Sequence, residues 1–368
     1  MTGSPAVVQV IQHFLPGGLE KLALDLHLSS KGQKHHMVVL EGDPSDRQQW
    51  GVPMDDRYLH FLSKKPGVTP SLVKRLYALL RNLDADLLHT HHIGPLLYGG
   101  MAAKLGNYRH IHTEHDVWHL DNRHRRLLVQ GCFHTFQPRV VACSEYVRKG
   151  IIRNISGIQP CVVKNGINSR VFKQGNKEAA RQSINLPQHV PVIGCAARLA
   201  EGKEHDLLLQ AFSQLPEHFQ LALAGDGERK NSLMHLAEKL GIASRVHFLG
   251  VVRDMPLFYQ SIDVFCLSSR REGLPLSVLE AQACEKIVVV TDAGGCREAV
   301  DGFSGIVVQN NQQESLVCAL IRQIERSADP QYAISARKFV LRQGNIDDTV
   351  RHYQALYQQV IDSGGHHG

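Results

Sequence analysis

The segment Ser269-Arg270-Arg271-Glu272-Gly273-Leu274-Pro275-Leu276-Ser277-Val278-Leu279-Glu280-Ala281 decides how the rest of the chain is read. It follows the short apolar run Val264–Leu267 and leads into an amphipathic stretch, so it reads as a strand-to-helix junction. Pro275 suits the first helical turn, where its missing N–H is no loss. Gly273 removes side-chain bulk where the free N–H groups of a helix start would meet a pyrophosphate. Glu272 stands before the helix and Glu280 on its second turn. Two carboxylates so placed accept hydrogen bonds from hydroxyls at two points of one extended ligand, and sugar and ribose hydroxyls are suitable donors.

Outward from this junction the pattern repeats. Strands are predicted at Pro191–Ala197, Gln220–Ala224, Val246–Leu249, Val264–Leu267, Ile287–Thr291 and Ile306–Val308, with helices at His205–Gln214, Lys230–Leu240 and Leu276–Cys284. An earlier series has strands at Ala6–Gln12, His36–Leu40, Tyr58–Leu62, Asp86–His91, His110–Glu114 and Val140–Cys143, with helices such as Leu19–Leu28, Ser71–Leu83 and Asn122–Phe133. Alternating strands and helices imply βαβ units around parallel sheets, hence an α/β fold of two doubly wound domains. At 368 residues the chain exceeds one ordinary core, which agrees. The polar stretch Lys164–Gln188, with Asn165-Gly166, reads as the linker, and a last helix over about Asp348–Val360 is able to close on either domain.

Ligands of doubly wound sheets sit outside the carboxyl ends of the strands, and three more clusters fall there. Gly17-Gly18 follow the first strand and open the first helix, allowing close backbone approach to a phosphate or sugar. The three-glycine dinucleotide fingerprint is absent. Arg198 and Lys203 follow the first strand of the second series, where two cations neutralise a leaving diphosphate. Thr113-Glu114-His115-Asp116 follow a strand of the first series and make His115 a candidate, with His112 beside it and His91-His92 at another strand end. No helix-spaced His/Glu pair supports a metal site, so none is expected.

Composition narrows the partners. Eight scattered cysteines without a C-x-x-C pair fit buried, reduced thiols rather than a disulfide framework or zinc site. With 43% hydrophobic and 21% charged residues, the chain is neither disordered nor fibrous. The first apolar run, Ala6–Ile11, is too short for a signal-peptide core, and no window of about 18 apolar residues occurs, so neither a leader nor a membrane span is expected. Residues 1–170 hold 21 Lys/Arg against 13 Asp/Glu, a balance of +8; the remainder hold 20 against 22, a balance of −2. A basic first half suits an anionic partner, or is a solvated surface excess.

The chain resembles the retaining glycosyltransferases of family 4, of GT-B architecture: two Rossmann-like domains facing each other across a cleft. Glu272-Gly273-Leu274-Pro275, with Glu280-Ala281 after four residues, matches the family's E-x7-E motif. Val288 to Gly295 with Glu298 follow it as in the family. Arg198-Leu199-(x3)-Lys203, Gly225-Asp226-Gly227, Phe248-Leu249-Gly250, Asn165-Gly166-Ile167 and Gly17-Gly18 keep the family's spacing and order. The departures are Ala196-Ala197 before Arg198, Glu204 after Lys203, and Glu285-Lys286-Ile287 in place of Gly-x-Pro.

The resemblance implies domains at 1–170 (acceptor-binding), 171–345 (nucleotide-sugar-binding) and a C-terminal helix, 346–368, able to pack back on the first. It implies that Glu280 binds ribose and that Glu272 binds the transferred sugar. Backbone amides of Gly273, Leu274, Pro275 and Leu276 lie along the diphosphate, with Arg198 and Lys203 assisting. Gly250 and Val251 lie against the base, Gly17 and Gly18 approach the donor, and His115 stands near the reacting sugar. His115, Arg198, Lys203 and Glu272 form the implied catalytic set, without metal or cofactor.

The function expected is transfer, with retention, of a sugar from a UDP- or GDP-sugar to a glycan, lipid-linked or small acceptor in surface polysaccharide or glycolipid synthesis. The expected place is the cytoplasm, peripheral at the inner face of a membrane, where Lys64-Lys65, Lys74-Arg75, Arg123 to Arg126 and Arg148-Lys149 rest on anionic headgroups. No nucleic acid is expected. Alternatives are a GT-B epimerase or sugar-phosphate-forming synthase and, in another class, a non-catalytic nucleotide-sugar-binding protein.

Overall fold

The computed structural model describes residues 5–30, 34–50, 55 and 57–363, which divide into two compact units. The first runs to Asn165 and takes the chain back at Ile346; the second is Gly166–Asn345.

The first unit contains β1 (Val7–Ile11), α1 (Gly18–Ser29), β2 (His35–Val39), β3 (Leu59–Phe61), α2 (Ser71–Asn82), β4 (Leu87–His91), α3 (Ile93–Gly106), β5 (Arg109–Glu114), α4 (Arg123–Phe136), β6 (Arg139–Ala142), α5 (Glu145–Asn154) and β7 (Cys161–Val162). Its sheet is parallel throughout, in the order β3-β2-β1-β4-β5-β6-β7. Val8, Val10, Val38, Leu76, Leu88 and Ala102 form one core against α2 and α3. Ile11, Phe14, Leu24, Met37 and Val39 form another against α1.

The second unit contains α6 (Lys177–Ser183), β8 (Val192–Ala196), α7 (His205–Phe212), β9 (Gln220–Ala224), α8 (Lys230–Lys239), β10 (Val246–Gly250), α9 (Met255–Ser261), β11 (Val264–Leu267), α10 (Leu276–Ala283), β12 (Ile287–Thr291), β13 (Ile306–Val308), α11 (Gln313–Arg326) and α12 (Pro330–Gln343). Its parallel sheet has the order β10-β9-β8-β11-β12-β13. A core of Ile193, Leu208, Phe212, Leu221, Leu233, Val264, Val289 and Leu320 lies beneath α7, α8 and α11.

Both orders reverse direction beside the first strand, at β1/β4 and at β8/β11. Such switch points are where open α/β sheets bind ligands. Two doubly wound sheets are therefore present, as the sequence predicts, with β7 as an additional edge strand.

The stretch 164–188 is not a bare linker. Asn176 caps α6 through the Ala179 N–H, and Arg181 is fully buried. Its guanidinium donates to the Ser261, Pro187, Gln188 and Val190 carbonyls and to Asp263, which integrates the segment into the second unit. The last helix, α13 (Ile346–Asp362), belongs to the first unit, anchored by Tyr353 and Tyr357 on the buried face of β4 and β5.

Candidate functional site

In the second unit the loops after β8 and β11 meet at the switch point. Lys203 Nζ donates to Glu272 Oε1 at 2.6 Å, with Glu272 almost wholly buried. Ser268 Oγ donates to the Lys203 and Glu204 carbonyls at 3.1 and 3.0 Å, and the Arg270 N–H to the Gly202 carbonyl at 2.8 Å. The two loops are thus stitched together by backbone, so Lys203 and Glu272 are set by the fold. Arg198 is exposed and has no carboxylate within ion-pair distance among the described residues, leaving its fork available to an anion.

Eight residues after Glu272, Glu280 lies on the buried face of α10. Tyr259 on α9, itself fully buried, donates its hydroxyl to Glu280 Oε2 at 2.7 Å. Burial, with the Glu280 charge adding to it, holds the Tyr259 phenol well above its ordinary pKa, so it remains a donor. Pro275 stands at the cap position rather than inside the helix, with extended backbone, and no side chain caps α10. Its first-turn N–H groups therefore start without a side-chain partner, as an anion site requires. Gly273, Leu274, Pro275 and Leu276 are all buried along this approach.

The neighbouring loops close in by backbone contact. Gly225 has φ +142°, and a Cβ there would strike the Ala197 carbonyl; its N–H bonds the Gly250 carbonyl at 2.7 Å. Only glycine permits that approach. Gly250 takes φ +66°, and Val251 beside it is 62% exposed. The two glutamates that depart from the family pattern sit where glycine would be relaxed, Glu204 at φ +50° and Glu285 at φ +63°. Arg270 lies 3.5 Å from the Glu204 carboxylate.

The first unit holds the other predicted residues, Gly17, Gly18 and His115. Gly17 caps α1 with extended backbone, and Gly18 begins the helix; both are exposed. His115 follows β5, and its surroundings are unusual. Buried parallel strands ordinarily read as continuous apolar runs, yet β4 is Leu-Leu-His-Thr-His and β5 is Arg-His-Ile-His-Thr-Glu, with only Arg109 not buried. Hydrogen bonds make this tolerable. His89 bonds Tyr357 and Thr113, each at 2.8 Å; Thr90 bonds His110 and His112 at 2.8 and 2.9 Å; Thr113 bonds Tyr353 at 3.0 Å. His91 lies between Gln9 (3.1 Å) and His115 (3.0 Å).

Burial pushes His115 and His110 down to about 3 and His91 well below the ordinary imidazole range, so all three are neutral. His119 is the exception. Burial opposes its charge, but Asp116 at 3.0 Å and Glu114 at 3.6 Å raise it to about 10. Glu114 in turn stays ionised well below the usual carboxylate range, because His112 and His119 outweigh its burial. Among the described residues no group of three or more His, Cys, Asp or Glu is arranged to hold a metal ion. None of the described helices is long and apolar enough to cross a membrane.

With this geometry in view, comparison with known proteins is decisive for the family. The profile described as "Glycosyl transferases group 1" matches residues 151–338, and "Glycosyltransferase Family 4" matches residues 16–171. The chain belongs to the group 1, family 4 glycosyltransferases. A glycosyltransferase from Rickettsia africae ESF-5 has a TM-score of 0.83 at 20% identity, covering 98% of this chain and 100% of that one. HepE from Anabaena, solved with UDP and glucose, has a TM-score of 0.84 at 20% identity, covering 96% and 99%. These likenesses establish the GT-B fold.

The D-inositol 3-phosphate glycosyltransferase of Stackebrandtia nassauensis is 29% identical over 265 residues, 64% of this chain and 59% of the relative. Its counterpart in Mycolicibacterium gilvum is 34% identical over 166 residues, 43% of this chain and 38% of the relative. The chain spans less than two thirds of the length of these relatives.

In this glycosyltransferase the structure brings Arg198, Lys203, Gly250, Glu272, the Gly273–Leu276 run and Glu280 onto the β8–β11 end of the second unit, and Gly17, Gly18 and His115 onto strand ends of the first. Sequence reasoning missed Tyr259 beneath Glu280, and Gln9 behind His91. Tyr259 carries no motif. Gln9 did leave a signal: one amide inside the apolar strand Val-Val-Gln-Val-Ile must have a partner.

Proposed function

We propose that this chain is a retaining glycosyltransferase that takes a nucleoside diphosphate sugar, UDP-linked in the first instance, as donor and a hydroxyl as acceptor. The observation that carries the reading is the junction at β11–α10. A carboxylate held by Lys203 and one held by Tyr259 flank a helix start without a side-chain cap, with the unpaired Arg198 guanidinium on the adjoining loop. Those are the groups a sugar, a ribose and a diphosphate between them require. The Anabaena HepE structures, solved with UDP and glucose and with UDP-glucose, support the UDP choice.

The chemistry follows from charge. The bond from sugar C1 to the diphosphate oxygen breaks, and its electron pair stays on the phosphate. Arg198, Lys203 and the α10 amides stabilise that charge. The acceptor oxygen bonds C1 on the same face, and its proton passes to the departing phosphate oxygen. No protein nucleophile or base is needed; Glu272 and Glu280 position hydroxyls, and His115 in the first unit is an acceptor for a ligand hydroxyl. Incubating the protein with UDP-, GDP- and ADP-sugars and acceptors, and reading the product anomer by NMR, tests this. Retained configuration is expected; inversion refutes it. Donor turnover without acceptor indicates an epimerase, and binding without turnover a non-catalytic protein.

Two finer readings concern the acceptor. The relatives named D-inositol 3-phosphate glycosyltransferase put phosphorylated polyols among the acceptors to test, which a basic first half suits. For membrane-linked acceptors, α4 exposes Arg123, His124, Arg125, Leu127 and Leu128, and the sequence has no acid from 122 to 144. That helix suits peripheral contact with anionic headgroups on the cytoplasmic face. Salt-sensitive sedimentation with phosphatidylserine vesicles, reduced by Leu127→Asp, is the expected result.

A further inference from the structure

We infer that Gln9 and His91 are positioning residues, which fix His115 in the tautomer that carries its proton on Nε2 and leaves Nδ1 as a bare acceptor for a ligand hydroxyl. The inference rests on the reading above, in which His115 accepts a ligand hydroxyl.

The assignment follows bond by bond. Gln9 Nε2 donates to the Ala23 carbonyl at 3.1 Å, and turning the amide over would set two oxygens face to face. Gln9 Oε1 therefore faces His91 Nε2, at 3.1 Å, and an amide oxygen can only accept. His91 Nε2 must carry the hydrogen. His91 is completely buried and neutral, so it has one ring proton and its Nδ1 is bare. That Nδ1 lies 3.0 Å from His115 Nε2, which must then be the donor.

His115 is neutral as well, so its Nδ1 holds a lone pair. This atom is buried and meets no hydrogen-bond partner among the described residues. The sequence of bonds thus begins at a backbone carbonyl of α1 and ends at one unused acceptor. A chain of three neutral side chains for this purpose explains why β1 carries a glutamine and β4 a histidine at fully buried positions.

The consequence for function is definite. His115 is neither an acid nor a cation here. At Nδ1 it can only receive a hydrogen bond, so it selects a donor group, which on a sugar is a hydroxyl, and its contribution is orientation. His92, next to the relay, adds a backbone held at φ 72° and ψ 163°, a conformation that is essentially glycine's own.

The test is spectroscopic first. Protein labelled with 15N-histidine, with His115→Phe to assign the resonance, is expected to show a protonated Nε2 and a bare Nδ1 at His115. The opposite tautomer overturns the inference. Gln9→Leu removes the acceptor from His91; the His115 signal is expected to become a tautomer mixture and kcat to fall about tenfold, with KM for the donor within about twofold. Gln9→Glu, whose neutral carboxyl keeps an acceptor for His91 and a donor for Ala23, is expected to restore both. A folded Gln9→Leu variant with unchanged tautomer and rate overturns the role of Gln9. If Gln9→Leu does not fold, the wild-type spectrum decides alone. The spectra also decide the relay if no sugar is transferred, so its failure is distinct from failure of the proposed function.

Discussion

The two units of this glycosyltransferase share a strand order but fill the ends of their central strands with opposite chemistry. The second unit uses full charges beyond the carboxyl ends of its strands: Lys203 with Glu272 at 2.6 Å, and Arg229 donating to both oxygens of Asp206. The first uses mostly neutral imidazoles, amides and hydroxyls linked across β1, β4 and β5, with charged groups at His119 and in the Lys64–Glu41 pair beyond β2 and β3. A charge in a loop stabilises another charge at a distance, which suits a diphosphate. A neutral relay transmits only orientation, which suits a hydroxyl. One topology thus carries charged pairs in one unit and a largely neutral network in the other, set by the side chains at its strand ends.

Acidification should separate the units most. His35, His110 and His115 in the first unit are all held down at about 3 by burial, against one such residue, His205 at about 4, in the second. A histidine with a lowered folded value binds its proton more readily in the unfolded chain. Stability is therefore intact above about 6.5 and is lost as pH falls from there toward 3, by roughly 2 kcal/mol per histidine at pH 5. His119 works in the other sense: its contribution is complete below about 6.5 and lost as pH rises toward about 10. Hydrogen exchange at pH 5 and pH 7 should show the first unit losing protection before the second. Equal loss in both would remove the contrast.

Arg198→Ala probes the charged strategy without disturbing the fold. It should lower kcat on the order of a hundredfold or more, while the midpoint of urea unfolding stays within about 0.5 kcal/mol of the wild type. A large loss of stability would make Arg198 structural instead.

Much of this was legible in the sequence, though unevenly. The β11–α10 junction could be read because glycine, proline and carboxylates at a strand end have few other uses, and Glu272, Glu280, Arg198 and Lys203 fall where the spacing put them. The strands of both sheets were legible as β-branched runs. The relay was not. Histidines 89, 91, 110 and 112 alternate along β4 and β5 like a solvated face, and only three-dimensional pairing shows them to be buried and partnered. Tyr259 was hidden for a similar reason: a buried tyrosine looks like core until its hydroxyl is seen on Glu280. The segment 164–188 does hold the crossover between the units, at Asn165 and Gly166, but the rest of it is built into the second unit, because Arg181 is buried against backbone carbonyls and Asp263 and Asn176 caps a helix.

Tyr259→Phe leaves Glu280 without its anchoring donor and should weaken nucleotide binding about tenfold, measured by calorimetry. The same substitution at Tyr357, which bonds His89 in the neutral network, should leave nucleotide affinity unchanged. Glu285→Gly relieves a left-handed backbone at a position remote from either strategy. It should stabilise the protein by roughly 0.5–1 kcal/mol in urea titration, with activity unaltered.

The most direct test of the central claim is a calorimetric titration of the purified protein with UDP-, GDP- and ADP-sugars, beside the Glu280→Ala variant. The account predicts that one nucleotide sugar, UDP-linked, binds and that the variant binds it at least tenfold more weakly. Binding that ignores Glu280→Ala, or no binding by any of the panel, would contradict it.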